Sequence, residues 1–477
     1  MSSRRPDLAA NAARRARPSV PSHLGSTRRA ALPVPVEQGR EVPLSASLVR
    51  AVGICVAVAT PAIVLRVSGA AVPAPVSLLA FGAAVVAASF VLAWAADSAR
   101  KDISGTLAVA LLALVAVLPE YAVDLFYAFR SGSDAAYLPF AAANMNGSNR
   151  LLLGLGWPLV VLLALWVARR RKEPGQRGLR FLSLPSATRR DIAVLAVLTV
   201  IALLIPLTGS IPLWLGVVLI AAFVVYLWST TRSDDDSEEP FVSVAAHIVT
   251  LPRLARRVTV AAMFVGAAAV ILASAEPFAE SLITSGTSLG VDPYFLVQWL
   301  APLASESPEF IVAALFALRG QGAIAIATLI ASKINQWSLL IGSLPIAHLL
   351  GGGEWQLALD ARQVEEFTLT ASQTMLGVAI LLSLRFHRAS AIALAALFAL
   401  QFVITDTHGR YVLAAAHTVI ALGVFIVHRR HILPTLTALW RPTSYGGDDP
   451  DPRSPRSREG EPPNETWNNH TYAAQHL

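Results

Sequence analysis

Apolar runs of roughly twenty residues recur along almost the whole chain. They start near residues 49, 74, 104, 137, 190, 211, 258, 291, 322, 371, 389 and 410, which makes about twelve spans. A helix needs about 20 mostly apolar residues to cross the hydrocarbon core of a bilayer. The pattern therefore predicts an all-α, polytopic membrane protein of about 12 transmembrane helices. Its polar punctuation is uneven. Arg100-Lys101, Arg169 to Lys172 with Arg189-Arg190, Arg253/Arg256/Arg257, Arg319, Arg385/Arg388 and Arg429-Arg430 fall in alternate connections. The others hold little positive charge, and one is acidic, with Glu354, Asp360, Glu365 and Glu366. Positive loops stay in the cytoplasm, so both termini are expected there, in a plasma-membrane protein.

Two polar interruptions resemble each other. One span ends VLPEYAVDLFYAFR (117–130) and another contains ESPEFIVAALFALR (306–319). Pro119/Pro308, Glu120/Glu309, Val123/Val312, Ala128/Ala317 and Arg130/Arg319 coincide, as do the aromatics Tyr121/Phe310 and Tyr127/Phe316. An acid inside the membrane is costly and is by default a functional candidate. Five spans separate the two copies, and an odd number inverts the second relative to the first. Two inverted repeats of about five helices, each flanked by one further helix, follow, with an ion site near the midplane. Pro119 and Pro308 are the expected helix hinges. Each lacks an N–H and frees a carbonyl four residues back, at Val115 and Ala304.

A second polar segment follows each acidic one. The first is AANMNGSNR, with Ser148, Asn149 and Arg150; the second is ATLIASKINQW, with Ser332, Lys333 and Gln336. Small residues let helices approach closely, and Ser and Asn side chains bridge them. Asp124 lies one turn beyond Glu120 on the same face, and Glu306 precedes Glu309 by one turn. The candidate cation-binding set is thus Glu120, Glu309, Asp124, Glu306, Ser148, Asn149, Ser332 and Gln336, with Glu120 and Glu309 as the metal-binding pair. Lys333 and Arg150 are the candidate tethered cations that tune or couple the site.

Composition agrees with this picture. Hydrophobic residues make up 55% and charged residues 14%, with mean hydropathy +0.56; soluble domains carry about 25% charge. The net charge of +7 sits in tails and loops, which suits membrane topology and excludes nucleic acid as the expected partner. The single cysteine, Cys55, excludes a disulfide framework. Residues 1–48 and 441–477, rich in Arg, Pro, Ser and Asp, read as disordered tails. Residues 49–229 and 258–430 read as transmembrane halves, and 230–257 as a cytoplasmic linker.

A helix ending in Pro-Glu, then Gly-Ser-Asn in the next helix, repeated in inverted order, resembles the sodium/calcium exchanger family. That family carries Gly-Thr-Ser-x-Pro-Glu and Gly-Asn-x-x-Gly-Ser-Asn-x-x-Asn in each half. The resemblance implies ten core helices, a central cation site and alternating access. It places the two glutamates on Glu120 and Glu309, and Gly-Ser-Asn on Gly147-Ser148-Asn149 and, degenerately, on Ala331-Ser332-Lys333. The chain departs from the pattern at Ala116-Val117, where the family has Thr-Ser, at Ser305-Glu306, and at Leu152 and Gln336, where it has the final Asn. The expected function is secondary active antiport of Ca2+ or Na+ against H+ or Na+, with no cofactor and the bilayer and transported cations as partners. The alternatives are a non-transporting scaffold or sensor on the same fold, or a membrane-embedded hydrolase. The hydrolase lacks His-Glu-x-x-His and Gly-x-Ser-x-Gly motifs in this sequence.

Overall fold

A computed structural model describes residues 46–102, 118–170, 180–230, 241 and 243–440. The expected tails and the carbonyl of Val115 lie outside or almost wholly outside these residues. Of the expected linker, the described part is structured. It forms a short helix, α8 (Ser243–Ile248), and the start of a long one, α9 (Arg253–Leu289).

The first half runs α1 (Ala46–Ser68), α2 (Ala74–Ala99), α3 (Leu118–Ser133), α4 (Ala143–Leu151), α5 (Trp157–Arg170), α6 (Thr188–Thr208) and α7 (Leu213–Thr230). After α9 come α10 (Pro293–Leu318), α11 (Gly322–Asn335), α12 (Ile341–Leu350), α13 (Ala361–Leu381), α14 (Arg388–Leu400), α15 (Thr407–Val427) and α16 (Arg429–Thr437). Among the described residues eight helical segments are long and apolar enough to span a membrane. Leu213–Ser229 and Arg388–Leu400 are shorter apolar helices. Eleven of the expected spans correspond to a described helix; most of the span expected from about residue 104 lies outside the described residues, which take it up at Leu118.

Local chemistry sets several boundaries. Pro75 sits in the first turn of α2, where a missing N–H costs nothing. Gly209 and Gly290, both with positive φ, close α6 and α9 in the left-handed conformation. The Asp360 side chain accepts from the Gln363 N–H while Gln363 reaches back to the Asp360 N–H, a capping box that starts α13 at Ala361. Hydropathy alone places that start near 371, because the first three turns of α13 are polar. They are nevertheless buried: Gln363, Glu365, Glu366, Thr370, Ser372, Gln373 and Thr374 all lie inside. The Glu365-Glu366 pair therefore belongs to a helix interior, not to an outer loop.

Inversion is visible in four three-residue strands. β1 (Phe181–Ser183) precedes α6, the fourth helix of the first repeat, and pairs antiparallel with β4 (Arg385–His387), which precedes α14, the fifth helix of the second. β2 (Ser210–Pro212) precedes α7, the fifth helix of the first, and pairs with β3 (Gln356–Ala358), which precedes α13, the fourth of the second. A fourth-helix loop of one repeat meets a fifth-helix loop of the other, twice. Successive loops lie on opposite faces of a membrane, so equivalent loops must do so as well. The two sets of five helices are thus upside down relative to each other, with α1 and α15 outside them.

The helix packing has the same symmetry. The two first helices, α2 and α9, pack on each other, and so do the two fourth helices, α6 and α13. Each acidic helix packs on the third element of the other repeat, α3 on α12 and α10 on α4. At one end of α2, Arg256 clamps Asp102 with bonds of 2.5 and 2.8 Å, and Arg257 adds one of 3.3 Å. The hydrogen bond from Arg256 holds the Asp102 carboxyl down at about 2, below the usual range.

Candidate functional site

Each third element of a repeat breaks in the same place. α4 gives way to a π-helical segment at Leu152–Gly156, and α11 to one at Gln336–Leu340. Both segments begin three residues after the last position of the aligned triplets, Gly147-Ser148-Asn149 and Ala331-Ser332-Lys333. Single-turn π segments cluster at functional sites. The internal repeat therefore extends from residue identity to backbone geometry.

Around these breaks the acids converge. Glu120, Asp124 and Glu306 are buried, and Glu309 is half-buried. Glu306 is an electrostatic neighbour of both Glu309 and Glu120, and Glu120 of both Glu309 and Asp124. The two Pro-Glu glutamates, one from each repeat, thus share one cluster. Neutral side chains from the polar segments surround them. Ser332 donates to Glu309 at 2.6 Å, Gln336 to Glu306 at 2.7 Å, and Asn144 to Asp124 at 3.0 Å. Ser148 and Gln336 are the polar neighbours of Glu120. Several of these buried oxygens have no partner at full hydrogen-bond distance: Glu120 Oε1, Asp124 Oδ1, Glu306 Oε2, Ser148 Oγ and Gln336 Oε1. Buried polar atoms are nearly always satisfied, so an orphan set of hard oxygens fits a cation as its missing partner. Among the described residues no three His, Cys, Asp or Glu side chains are already arranged as a metal cage.

Lys333 is fully buried, and its ammonium donates to the Asn149 carbonyl at 2.9 Å and side-chain oxygen at 3.0 Å. Lys333 and Asn149 hold equivalent positions in the two repeats, so the contact joins the two π-broken elements. Glu306 is its charged neighbour. The lysine thus lies at the edge of the cluster with its Nζ on two oxygens of Asn149.

Two expectations need correction. Pro308 does not unwind its helix: α10 is continuous from Pro293 to Leu318, and the Ala304 carbonyl accepts from the Ser307 hydroxyl at 3.1 Å. That carbonyl already has a partner. Arg150 does not join the carboxylate cluster either. It is buried, but it turns toward α13, where it pairs with Glu366 and lies 4.9 Å from the centre of the Trp299 ring. Arg410 of α15 holds Glu366 from the other side and Glu365 at 3.0 Å. Charge complementarity drives this: Glu366 is fully buried and requires partners, and Arg150 and Arg410 are both within reach. Hydropathy hides this second ionic cluster, but helical spacing reveals it. Glu366, Thr370 and Gln373 recur at i, i+4 and i+7, a polar stripe along one face of α13. Tyr121, which donates to Asn335 at 3.1 Å across the repeats, is the other contact that sequence reading missed.

Two opposed repeats with an acidic cluster between them define the architecture of a polytopic ion exchanger. The profile of the sodium/calcium exchanger protein family matches residues 73–232 and 259–405, which are the two five-helix repeats. The chain belongs to that family. A crystal structure of an H+/Ca2+ exchanger, CAX, matches with TM-score 0.77 and 34% sequence identity, over 83% of this chain and 98% of that one. The structure of native YfkE matches with TM-score 0.50 and 16% identity, over 79% and 99%. The sodium-calcium exchanger NCX_Mj, soaked with Na+ and Sr2+, matches with TM-score 0.45 and 16% identity, over 74% and 99%. No curated protein sequence matched.

Proposed function

We propose that the chain is a secondary active antiporter that exchanges Ca2+ for protons by alternating access at the Glu120/Glu309 cluster. The observation that carries this reading is the convergence of four acids, from two oppositely directed helices, around orphan oxygens. Ca2+ takes six to eight oxygen ligands, with carboxylates and neutral oxygens mixed. Glu120, Glu309, Asp124 and Glu306 supply the first kind, and Ser148, Ser332 and Gln336 the second. Four acids crowded inside a membrane keep their charge only against a cation or lose it to protons. Occupancy by Ca2+ and by protons is then mutually exclusive, which is the requirement for antiport. The 34% identical H+/Ca2+ exchanger supports the same pairing of ions. Na+ is the weaker candidate, because the family's Thr-Ser hydroxyls are replaced by Ala116-Val117 and Lys333 stands where the family has Asn. The protein sits in the plasma membrane with both termini in the cytoplasm.

Purified protein in proteoliposomes, given an outward proton gradient, should take up Ca2+ without added Na+. Glu120→Gln and Glu309→Gln should each abolish that uptake. Wild-type flux in both variants would remove the site, and uptake that needs Na+ and ignores pH would replace the proton as coupling ion. Lys333's hold on Asn149 favours one other reading, a non-transporting scaffold on the same fold. It predicts no competition between protons and Ca2+ for binding.

A further inference from the structure

A pocket of about 300 Å³ opens between β4, the start of α14 and the end of α15. Its lining is of two kinds. Ile420, Gly423, Val424 and Val427 recur at i, i+3, i+4 and i+7, one face of α15. Arg385, His387 and His428 line it as well. The division follows the edge of the membrane-spanning stretch. That stretch of α15, Thr407–Val427, ends at Val427, and His428 is the next residue.

The bases are held in place from behind. Arg385 and His387 flank the buried Phe386 on β4, so both leave the strand on its one exposed face. The Arg385 guanidinium lies 5.1 Å from the centre of the Phe181 ring on the paired strand β1, and the His387 ring 5.2 Å from it. The Nδ1–H of His428 donates to the Ala379 carbonyl at 3.0 Å, which fixes that ring and leaves Nε2 for another partner.

Among the described residues no carboxylate lines the pocket. His431, with its ring centre 6.3 Å from that of His428, has Arg189, His428 and Arg385 as charged neighbours, all of them bases. Burial, and after it these positive charges, hold the His431 ring below its usual range. Bases crowded in this way favour an anion among them. The apolar wall specifies what carries the anion. A free inorganic ion leaves that wall bare, whereas a phospholipid brings its phosphate to the membrane edge and its chains to the wall beneath.

We infer that this pocket binds one anionic phospholipid from the leaflet on the arginine-rich face, its phosphate on Arg385, His387 and His428 and its acyl chain along Ile420, Val424 and Val427. No residue of the carboxylate cluster lines it, so the site is independent of which ions are exchanged. The lipid ties the second repeat, through β4, to the flanking helix α15.

Native mass spectrometry of the purified, delipidated full chain tests it. Phosphatidylglycerol and phosphatidylcholine are titrated separately, with inorganic phosphate as competitor. The wild type should retain one phosphatidylglycerol in preference to phosphatidylcholine, and inorganic phosphate should not displace it. Arg385→Gln combined with His387→Gln should cut that preference about tenfold. Arg429→Gln combined with Arg430→Gln, beside the pocket but outside its lining, should leave it unchanged. All four side chains are exposed, so the melting temperature of each variant serves as a folding control. Gly423→Leu, where an added methyl group meets nothing within 4 Å, narrows the apolar half and should lower retention of both lipids. Equal retention of the two lipids by the wild type would overturn the proposal, as would undiminished retention in Gly423→Leu. An equal loss in the two paired variants would overturn it by making the preference a property of the whole basic face. Displacement by inorganic phosphate would assign the pocket to a free anion instead.

Discussion

The first repeat carries Asn149-Arg150 where the second carries Lys333-Ile334, so each holds one buried base, one position apart. That offset sends the two charges in opposite directions. Lys333 points across the interface to the oxygens of its counterpart, beside the acids. Arg150 points away from them, to Glu366 and the flanking helix that carries Arg410. Ile334 takes the equivalent position by packing into the apolar core. A nearly symmetric backbone, with matching π segments, thus supports an asymmetric charge pattern. One repeat anchors its π-broken element with ions, and the other with hydrocarbon.

The largest effect should come from the residues the repeats share. Glu120→Gln and Glu309→Gln should each abolish proton-driven Ca2+ uptake in proteoliposomes, because each removes a charge the cation requires. A variant in which only one glutamate mattered would show that the repeats are no longer functionally equivalent. Next is the ionic anchor. Arg150→Leu leaves Glu366 buried with one partner fewer, and breaking a buried pair costs about 3–5 kcal/mol. A fall in the detergent melting temperature measures this. An unchanged melting temperature would mean Arg410 alone satisfies Glu366.

Gly147 and Ala331 offer a sharper contrast. A methyl group on Gly147 would lie 1.6 Å from the Gln298 carbonyl oxygen, whereas Ala331 is exposed. Gly147→Ala should cost about 1–3 kcal/mol by overpacking, and Ala331→Gly less than about 1 kcal/mol. Equal costs would contradict the assigned packing. Lys333→Asn restores the family residue and frees the oxygens of Asn149. It should alter the pH dependence or the coupling ion of transport while leaving Ca2+ as substrate. Identical pH profiles would reject Lys333 as a tethered cation.

The smallest effect lies at the α2–α9 clamp. The Asp102 carboxyl is lowered in the folded protein, so its contribution is present above its ordinary value of 3.8 and is lost as pH falls through about 2. The melting temperature should drop between pH 4 and pH 2 by less in Asp102→Asn than in the wild type.

The span pattern and the Pro-Glu copies were legible because membrane helices satisfy their own backbone and advertise themselves by hydropathy alone. Inversion followed from counting spans. Three things were not legible. The polar start of α13 needed its capping box rather than its hydropathy. The direction of Arg150 depended on Glu366, distant in sequence. The shielding of the Ala304 carbonyl depended on a hydroxyl three residues on, a local bond that span-level reading overlooks.

Isothermal titration of Ca2+ into the purified protein, repeated in buffers of different ionisation heat, counts the protons displaced as the cation binds. The wild type should release protons on binding Ca2+, and Glu120→Gln should lose both the binding and the release. Binding without proton release, or unchanged release in Glu120→Gln, would contradict the proposed exchange.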